Sequence, residues 1–131
     1  MVNASASETV VTRGGTSDAV VRLSIKSGYH VNANPASYPY LKATKLEFSP
    51  PEGTSIANIT YPPALSRKFP FAEKPLAVYE GETLLTVTVK ADKAAKPGSL
   101  GLKGKLNIQA CDEQVCYAPG TLDVVVPLNI K

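Results

Sequence analysis

The strongest constraint on the fold is a period of two that recurs along nearly the whole chain and never gives way to a helical one. Val21, Leu23 and Ile25 alternate with Arg22 and Ser24, and Leu85, Val87 and Val89 alternate with Thr86 and Thr88. Leu102, Leu106 and Ile108 oppose Lys103, Lys105 and Asn107, while Leu122, Val124, Val126, Leu128 and Ile130 close the chain on the same rhythm. Side chains spaced in this way leave opposite faces of a strand, one apolar and one wet. Thr44, Leu46 and Phe48 against Lys45 and Glu47 make a further such segment, and shorter extended pieces are expected over Glu8 to Arg13, Tyr29 to Asn32, Thr54 to Tyr61 and Leu76 to Tyr79. The helix formers of Ala91 to Lys96 are stopped by Pro97 after one turn.

Turn chemistry punctuates these runs: Gly14-Gly15-Thr16-Ser17, Lys26-Ser27-Gly28, Ser49-Pro50-Pro51-Glu52-Gly53, Glu80-Gly81 and Lys96-Pro97-Gly98. About eight or nine short strands at roughly ten-residue spacing predict an all-β fold, an immunoglobulin-like antiparallel β-sandwich. Residues 1–7 are expected to be a disordered tail or the remnant of an artificial start, and residues 8–131 a single domain. Between Pro62 and Pro75 the prolines argue against a paired central strand, so this stretch reads as a long loop carrying Phe69 and Phe71.

Composition narrows the function by exclusion. Hydrophobic residues at 44% suffice for a core without covalent staples. The net charge of +3 comes from scattered lysines and arginines, with no basic block interleaved with aromatics, which argues against nucleic-acid binding. No apolar run reaches the length of a membrane span, no Gly-rich phosphate loop or nucleophile elbow occurs, and no cofactor is implied. A zinc site needs four ligands, and the chain offers two cysteines and one histidine, so no metal is expected.

Those two cysteines, Cys111 and Cys116, lie between the last two alternating runs. An antiparallel pairing of the runs brings them close enough to bond across the neck of a hairpin. A ring this small stabilises by only roughly 2 kcal/mol in the chain-entropy model, which makes the bond a weak staple. A pair that exists to be opened and closed is the alternative, and oxidising surroundings outside the cytoplasm favour either use. Asp112 and Glu113 sit beside Cys111 and disfavour its ionisation, so the pair is expected to attack poorly and to be attacked in its disulfide form by a stronger thiolate. Tyr117, Phe69, Phe71, Tyr29 and Tyr40 are candidates for apolar cover over the sulfurs, against the plainer reading of core packing, favoured for Tyr40. His30 could tune a cysteine or accept a proton, although a histidine at a strand end is more often a half-exposed side chain.

Several stretches resemble one family. Ile25-Lys26-Ser27-Gly28-Tyr29-His30-Val31-Asn32, Tyr61-Pro62, Phe69-Pro70-Phe71, Val78-Tyr79-Glu80-Gly81-Glu82, and above all Gln109-Ala110-Cys111-Asp112 with Cys116-Tyr117-Ala118-Pro119, are similar to the N-terminal, immunoglobulin-like domain of the DsbD-type thiol:disulfide interchange proteins, the disulfide bond corrector domain. The resemblance implies a periplasmic thiol-disulfide oxidoreductase domain that takes electrons from a thioredoxin-like donor and passes them to thioredoxin-fold acceptors, such as disulfide isomerases and cytochrome c maturation factors. It implies that Cys116 forms the transient mixed disulfide, that Cys111 resolves it, and that Phe69 or Phe71 belongs to a cap loop shielding the pair. Tyr29, His30, Asn32, Asp112, Glu113 and Tyr117 are expected to surround the active site. Two features depart from the best-known members: a shorter spacer between the cysteines, and the basic pair Arg67-Lys68 where they have acidic residues. No insertion of this segment into a membrane is expected, and a monomer is. The competing reading is a non-catalytic β-sandwich binding module whose hairpin disulfide is structural.

Overall fold

The structure is a computed structural model and describes residues 1–131. In chain order its strands are β1 (Val2–Ala6), β2 (Thr9–Val11), β3 (Thr16–Ile25), β4 (His30–Asn32), β5 (Lys45–Ser49), β6 (Thr54–Thr60), β7 (Leu65–Arg67), β8 (Leu76–Tyr79), β9 (Glu82–Ala91), β10 (Gly98–Ile108), β11 (Ala110–Cys111) and β12 (Gly120–Ile130). No helix interrupts them. Two four-stranded sheets, in the orders β1-β3-β9-β6 and β2-β12-β10-β5, share one apolar core, and a third, smaller sheet runs β11-β4-β8-β7. The fold is an immunoglobulin-like β-sandwich.

The long strands form where the alternation predicts them, because each has one face that loses water only by turning inward. Val21, Leu23 and Ile25 of β3 and Leu85, Val87 and Val89 of β9 are buried opposite Leu102, Leu106 and Ile108 of β10 and Val124, Val126, Leu128 and Ile130 of β12. Burying an aliphatic side chain of this size stabilises by about 1.5–3 kcal/mol, so these residues dominate the stability of the domain. β10 and β12 pair antiparallel along their whole length, from Gly98↔Ile130 to Ile108↔Gly120.

Two expectations about the ends of the sheets are corrected. Residues 1–7 are no disordered tail: β1 pairs antiparallel with β3 from Val2↔Ile25 to Ala6↔Val21, and Val2 is buried. The expected antiparallel sandwich is what forms, with one parallel pair in it, β2 alongside β12 through Leu128↔Thr9 and Ile130↔Val11, after the chain crosses from one sheet to the other. The stretch from Pro62 to Pro75 is not loop throughout, because Leu65–Arg67 forms β7 on β8. Its place at the edge of the small sheet is where strands flanked by proline are tolerated.

The small sheet collects what leaves one end of the sandwich. β3 ends at Ile25, opposite the end at which β9 begins, and the chain turns through Gly28 into β4. Gly28 has φ +90°, a left-handed conformation that costs glycine nothing, and the turn closes with the Tyr29 amide donating to the Lys26 carbonyl at 3.0 Å. β8 feeds β9 through Gly81 at φ +64°, and β10 feeds β11. Segments far apart in sequence therefore meet beside the cysteines.

Candidate functional site

The two cysteines do not close the throat of the β10–β12 hairpin, as the sequence reading expected. That ladder ends at Ile108↔Gly120, and residues 109–119 fold into a second, smaller hairpin of their own. Its first limb, β11, pairs antiparallel with β4 through Ala110↔Val31 and Cys111↔His30. The chain then reverses over the Asp112 carboxylate, whose Oδ1 accepts from the amides of Gln114 and Val115 at 2.8 Å each. Backbone bonds from Asp112 N to Val115 O and from Tyr117 N to Ala110 O, both 2.9 Å, flank Cys111 and Cys116 on either side. This makes the cysteines a narrow antiparallel pair, the geometry in which facing side chains stand closest. Their Cα atoms are 4.0 Å apart and the sulfurs are bonded.

The two sulfurs have unequal access. Cys111 is 0% exposed, whereas Cys116 is half-buried. Cys116 lines an open groove of about 750 Å³ together with Tyr38, Tyr40, Leu41, Phe71 and Val115. Phe69 and Phe71, paired in the sequence reading, have separate positions. Phe71 is 40% exposed and stands in the groove with Cys116. Phe69 is 7% exposed and stacks on the His30 ring at 4.1 Å and on the Phe71 ring at 5.5 Å. The Lys68 ammonium holds this loop by donating to the carbonyls of Phe69 and Ala72. Tyr40, for which core packing was favoured, is 76% exposed and stacks on Tyr38 at 5.3 Å.

Tyr29, His30, Asp112, Glu113 and Tyr117 lie outside that groove. Tyr117 donates its hydroxyl to Asp112 Oδ2 at 2.6 Å and tilts against Tyr29 at 6.3 Å. That bond, with the two amides on the other carboxylate oxygen, holds Asp112 below the ordinary carboxylate range; the same bond pushes the Tyr117 phenol up. Glu113 is exposed at the rim of a depression of about 500 Å³ that also contains Tyr29, His30, Phe69 and Glu80. His30 is not the half-exposed side chain expected of a strand end: it is 2% exposed, and its Nε2 has no hydrogen-bond partner. Burial lowers its pKa from the usual 6.5, with Glu80 and Asp112 pulling the other way.

Asn32 is buried and ties the site together. Its Nδ2 donates to Lys42 O at 3.1 Å and to Gln109 Oε1 at 3.2 Å, while its carbonyl accepts from the Thr44 amide and hydroxyl at 3.1 and 2.7 Å. Gln109 completes the clip, with Oε1 also accepting from Lys42 N at 3.1 Å and Nε2 donating to Tyr117 O at 3.3 Å. The sequence reading gave Gln109 no role. Its traces are its place at the head of the motif that carries the resemblance and its continuation of the polar series Lys105 and Asn107, with both a donor and an acceptor two positions before a cysteine.

Taken as chemistry, the arrangement is a disulfide with one sulfur sealed and the other on an apolar groove, so an approaching thiolate reaches one sulfur more readily than the other. Comparison with known proteins gives the family and the fold. The family model for the N-terminal domain of the thiol:disulfide interchange protein DsbD matches residues 2–127. Among solved structures, the N-terminal periplasmic domain of ScsB from Proteus mirabilis superposes with a TM-score of 0.59 at 14% identity, over 98% of this chain and 45% of that one. The chain thus spans less than half of that structure. A chain of a complex between CaDoc0917 and CaCohA2 superposes with a TM-score of 0.52 at 8% identity, over 100% of both chains. At such identities these likenesses speak for the fold alone. No curated protein sequence matches.

Proposed function

The chain belongs to the family of the N-terminal domain of the thiol:disulfide interchange protein DsbD, and from that premise we propose that it is a periplasmic redox relay, accepting electrons from a thioredoxin-like donor and delivering them to thioredoxin-fold acceptors through Cys111 and Cys116. It is a thiol-disulfide interchange domain on an immunoglobulin-like sandwich. No helix in it is long and apolar enough to cross a membrane.

In the proposed cycle a donor thiolate attacks Sγ of Cys116. The Cys111–Cys116 bond breaks, its electron pair leaves on Cys111 Sγ, and a mixed disulfide joins Cys116 to the donor. The donor's second thiol then attacks its own sulfur in that bond and releases Cys116, leaving the domain reduced and the donor oxidised. Delivery to an acceptor runs the same steps backwards. Phe71 and the exposed tyrosines of the groove give the incoming thioredoxin fold an apolar seat, and Phe69 and Phe71 shield the reduced pair between encounters.

The observation that carries this reading is the unequal access of the two sulfurs, with Cys111 sealed and Cys116 on the groove. A bond kept only as a clasp needs neither. Trapping tests it: Cys111→Ser holds a thioredoxin-fold partner as a lasting mixed disulfide on Cys116, whereas Cys116→Ser traps little. Equal trapping by both variants removes the assignment of roles. Equilibration against glutathione or thioredoxin decides between relay and clasp, since a structural bond titrates below about −300 mV and a carrier above it.

A further inference from the structure

The proposed cycle leaves one proton unassigned. When the domain delivers its electrons, Cys111 must attack Cys116 Sγ as a thiolate, yet it is wholly buried and adjoins Asp112, and both conditions keep it a thiol. The structure places one ionisable group beside it that the cycle does not use. His30 is the register partner of Cys111 across the β4–β11 pair, and Cys111 is in turn the partner of Cys116. Residues directly opposite one another project from the same face of a sheet with Cβ atoms about 4.5–5.5 Å apart. The row across the small sheet is therefore Cys116, Cys111, His30. The imidazole is sealed under the Phe69 ring, and its Nε2 is a buried polar atom without a partner in the oxidised protein. A buried nitrogen in that condition is costly unless another state of the protein uses it.

We infer that His30 is the base that takes the proton of the Cys111 thiol, an inference that rests on the exchange reading above. Neutral imidazole accepts the proton from Cys111 Sγ, and the thiolate attacks Cys116 Sγ. The Cys111–Cys116 bond forms as the bond from Cys116 to the partner breaks. The partner leaves as a thiolate, and the imidazolium returns its proton to water. Burial, which keeps the ring neutral below its ordinary titration range, suits it to this role. The charges facing it are Glu80 at the β8–β9 turn, itself paired with Arg67 of β7 at 3.5 Å, with Asp112 and Glu113 beyond β11 and Lys26 before β4. The carboxylates favour the imidazolium once it has formed.

The test reads the resolving step alone. Reduced protein treated with an aromatic disulfide such as Ellman's reagent forms a mixed disulfide on Cys116, and attack by Cys111 then releases a second coloured thiolate. In the unaltered protein this second phase slows as the pH falls through a value below 6.5. His30→Phe keeps a ring against Phe69. It slows the phase at pH 7 by at least about tenfold, and its rate rises only above about pH 8.5, the range in which even a free thiol ionises. An unchanged rate and pH profile in His30→Phe overturns the inference and leaves the exchange reading standing. Should His30→Phe not fold, the unaltered protein decides. His30 is the only histidine, so its NMR titration is unambiguous, and it must coincide with the inflection of the second phase; a mismatch overturns the inference. Absence of any second phase removes the exchange reading and this inference with it.

Discussion

The sandwich and the small sheet at its end are held together by different means. One continuous apolar cluster of 23 buried residues comes largely from the long strands of the sandwich, which each present a whole face to it, and takes in Val31, Tyr79 and Ala110 of the small sheet. Beneath the groove the corresponding cluster has three buried members, Phe69, Leu76 and Val78. Around the groove directed contacts are added to that burial: Asn32 and Gln109 clip the small sheet to Lys42 and Tyr117, Asp112 folds its hairpin, and Lys68 pins its aromatic loop. Apolar burial is additive and tolerant of small movements, whereas a hydrogen-bonded clip holds one geometry and is lost as a unit. A rigid body thus carries a site whose parts can be released without unfolding it.

The comparison breaks most plainly if damage to the core also damages exchange. Leu85 is fully buried in the sandwich, and Leu85→Ala should destabilise by about 2–5 kcal/mol, through lost transfer energy and an unfilled cavity. Denaturant unfolding measures this. Below the transition, the rate at which dithiothreitol reduces the disulfide should match that of the unaltered protein; a large change in it would show that core and site are one cooperative unit.

Asn32→Ala tests the opposite side. It leaves Lys42 O and Gln109 Oε1 short of a buried donor, at a cost of about 1–3 kcal/mol. Unlike the core substitution, it should speed hydrogen exchange at Cys111 and Tyr117 by more than about tenfold, while amides of β3 and β9 change only with global stability. Uniform acceleration across all strands would mean that the clip belongs to the same cooperative unit as the core.

How much of each region was legible in the sequence follows from the same difference. The strands β3, β9, β10 and β12 announce themselves because a shared core repeats its demand every second residue. β1 gave only a faint sign: in Val2-Asn3-Ala4-Ser5-Ala6 the alternation is carried by small residues, of which only Val2 is fully buried while Ala4 and Ala6 pack partly against the core, and a ladder to β3 holds the strand. β7 was hidden for a related reason, since Leu65, Ser66 and Arg67 are all exposed and the edge has no apolar face to read. The cysteines were legible as a bonded pair, but the register of Cys111 with His30 joins residues far apart in the chain and leaves no periodic trace. Phe69 and Phe71 are near neighbours in an irregular loop, where alternation says nothing about which side chain turns inward. The fold was therefore readable from a pattern, and the site only in part, from residue types and a resemblance.

Reducing the disulfide sharpens the comparison further. If the bond is a small ring at the tip of a hairpin, its loss costs at most about 2 kcal/mol. The reduced domain should remain folded, with an unfolding midpoint only slightly below that of the oxidised form, since no core strand depends on it. Loss of cooperative unfolding on reduction would make the bond part of the scaffold and return it to the role of a clasp.

The smallest effect concerns Asp112 and Tyr117, and it separates the regions by pH. The Tyr117 hydroxyl is the leading cause that holds Asp112 below the ordinary carboxylate range, ahead of the amides of Val115 and Gln114. A carboxylate with a lowered folded pKa supports the fold above its unfolded value near 3.8, and that support is lost as the pH falls through the lower folded value. Tyr117→Phe removes the hydroxyl and keeps the ring against Tyr29, so Asp112 should titrate at higher pH and the hairpin should loosen earlier on acidification. At about pH 7, where the carboxylate is charged in both proteins, the support lent by the hydroxyl is missing in full, so the unfolding midpoint should be slightly lower in the variant there, and the two proteins should converge at acid pH. Carboxyl-carbon NMR of Asp112 follows the titration, and amide exchange at Val115 follows the hairpin. The two should shift together while the amides of β10 and β12 stay protected. An Asp112 titration that ignores the substitution would show that the amides alone fold this turn, and that Tyr117 serves only to cover the sulfurs.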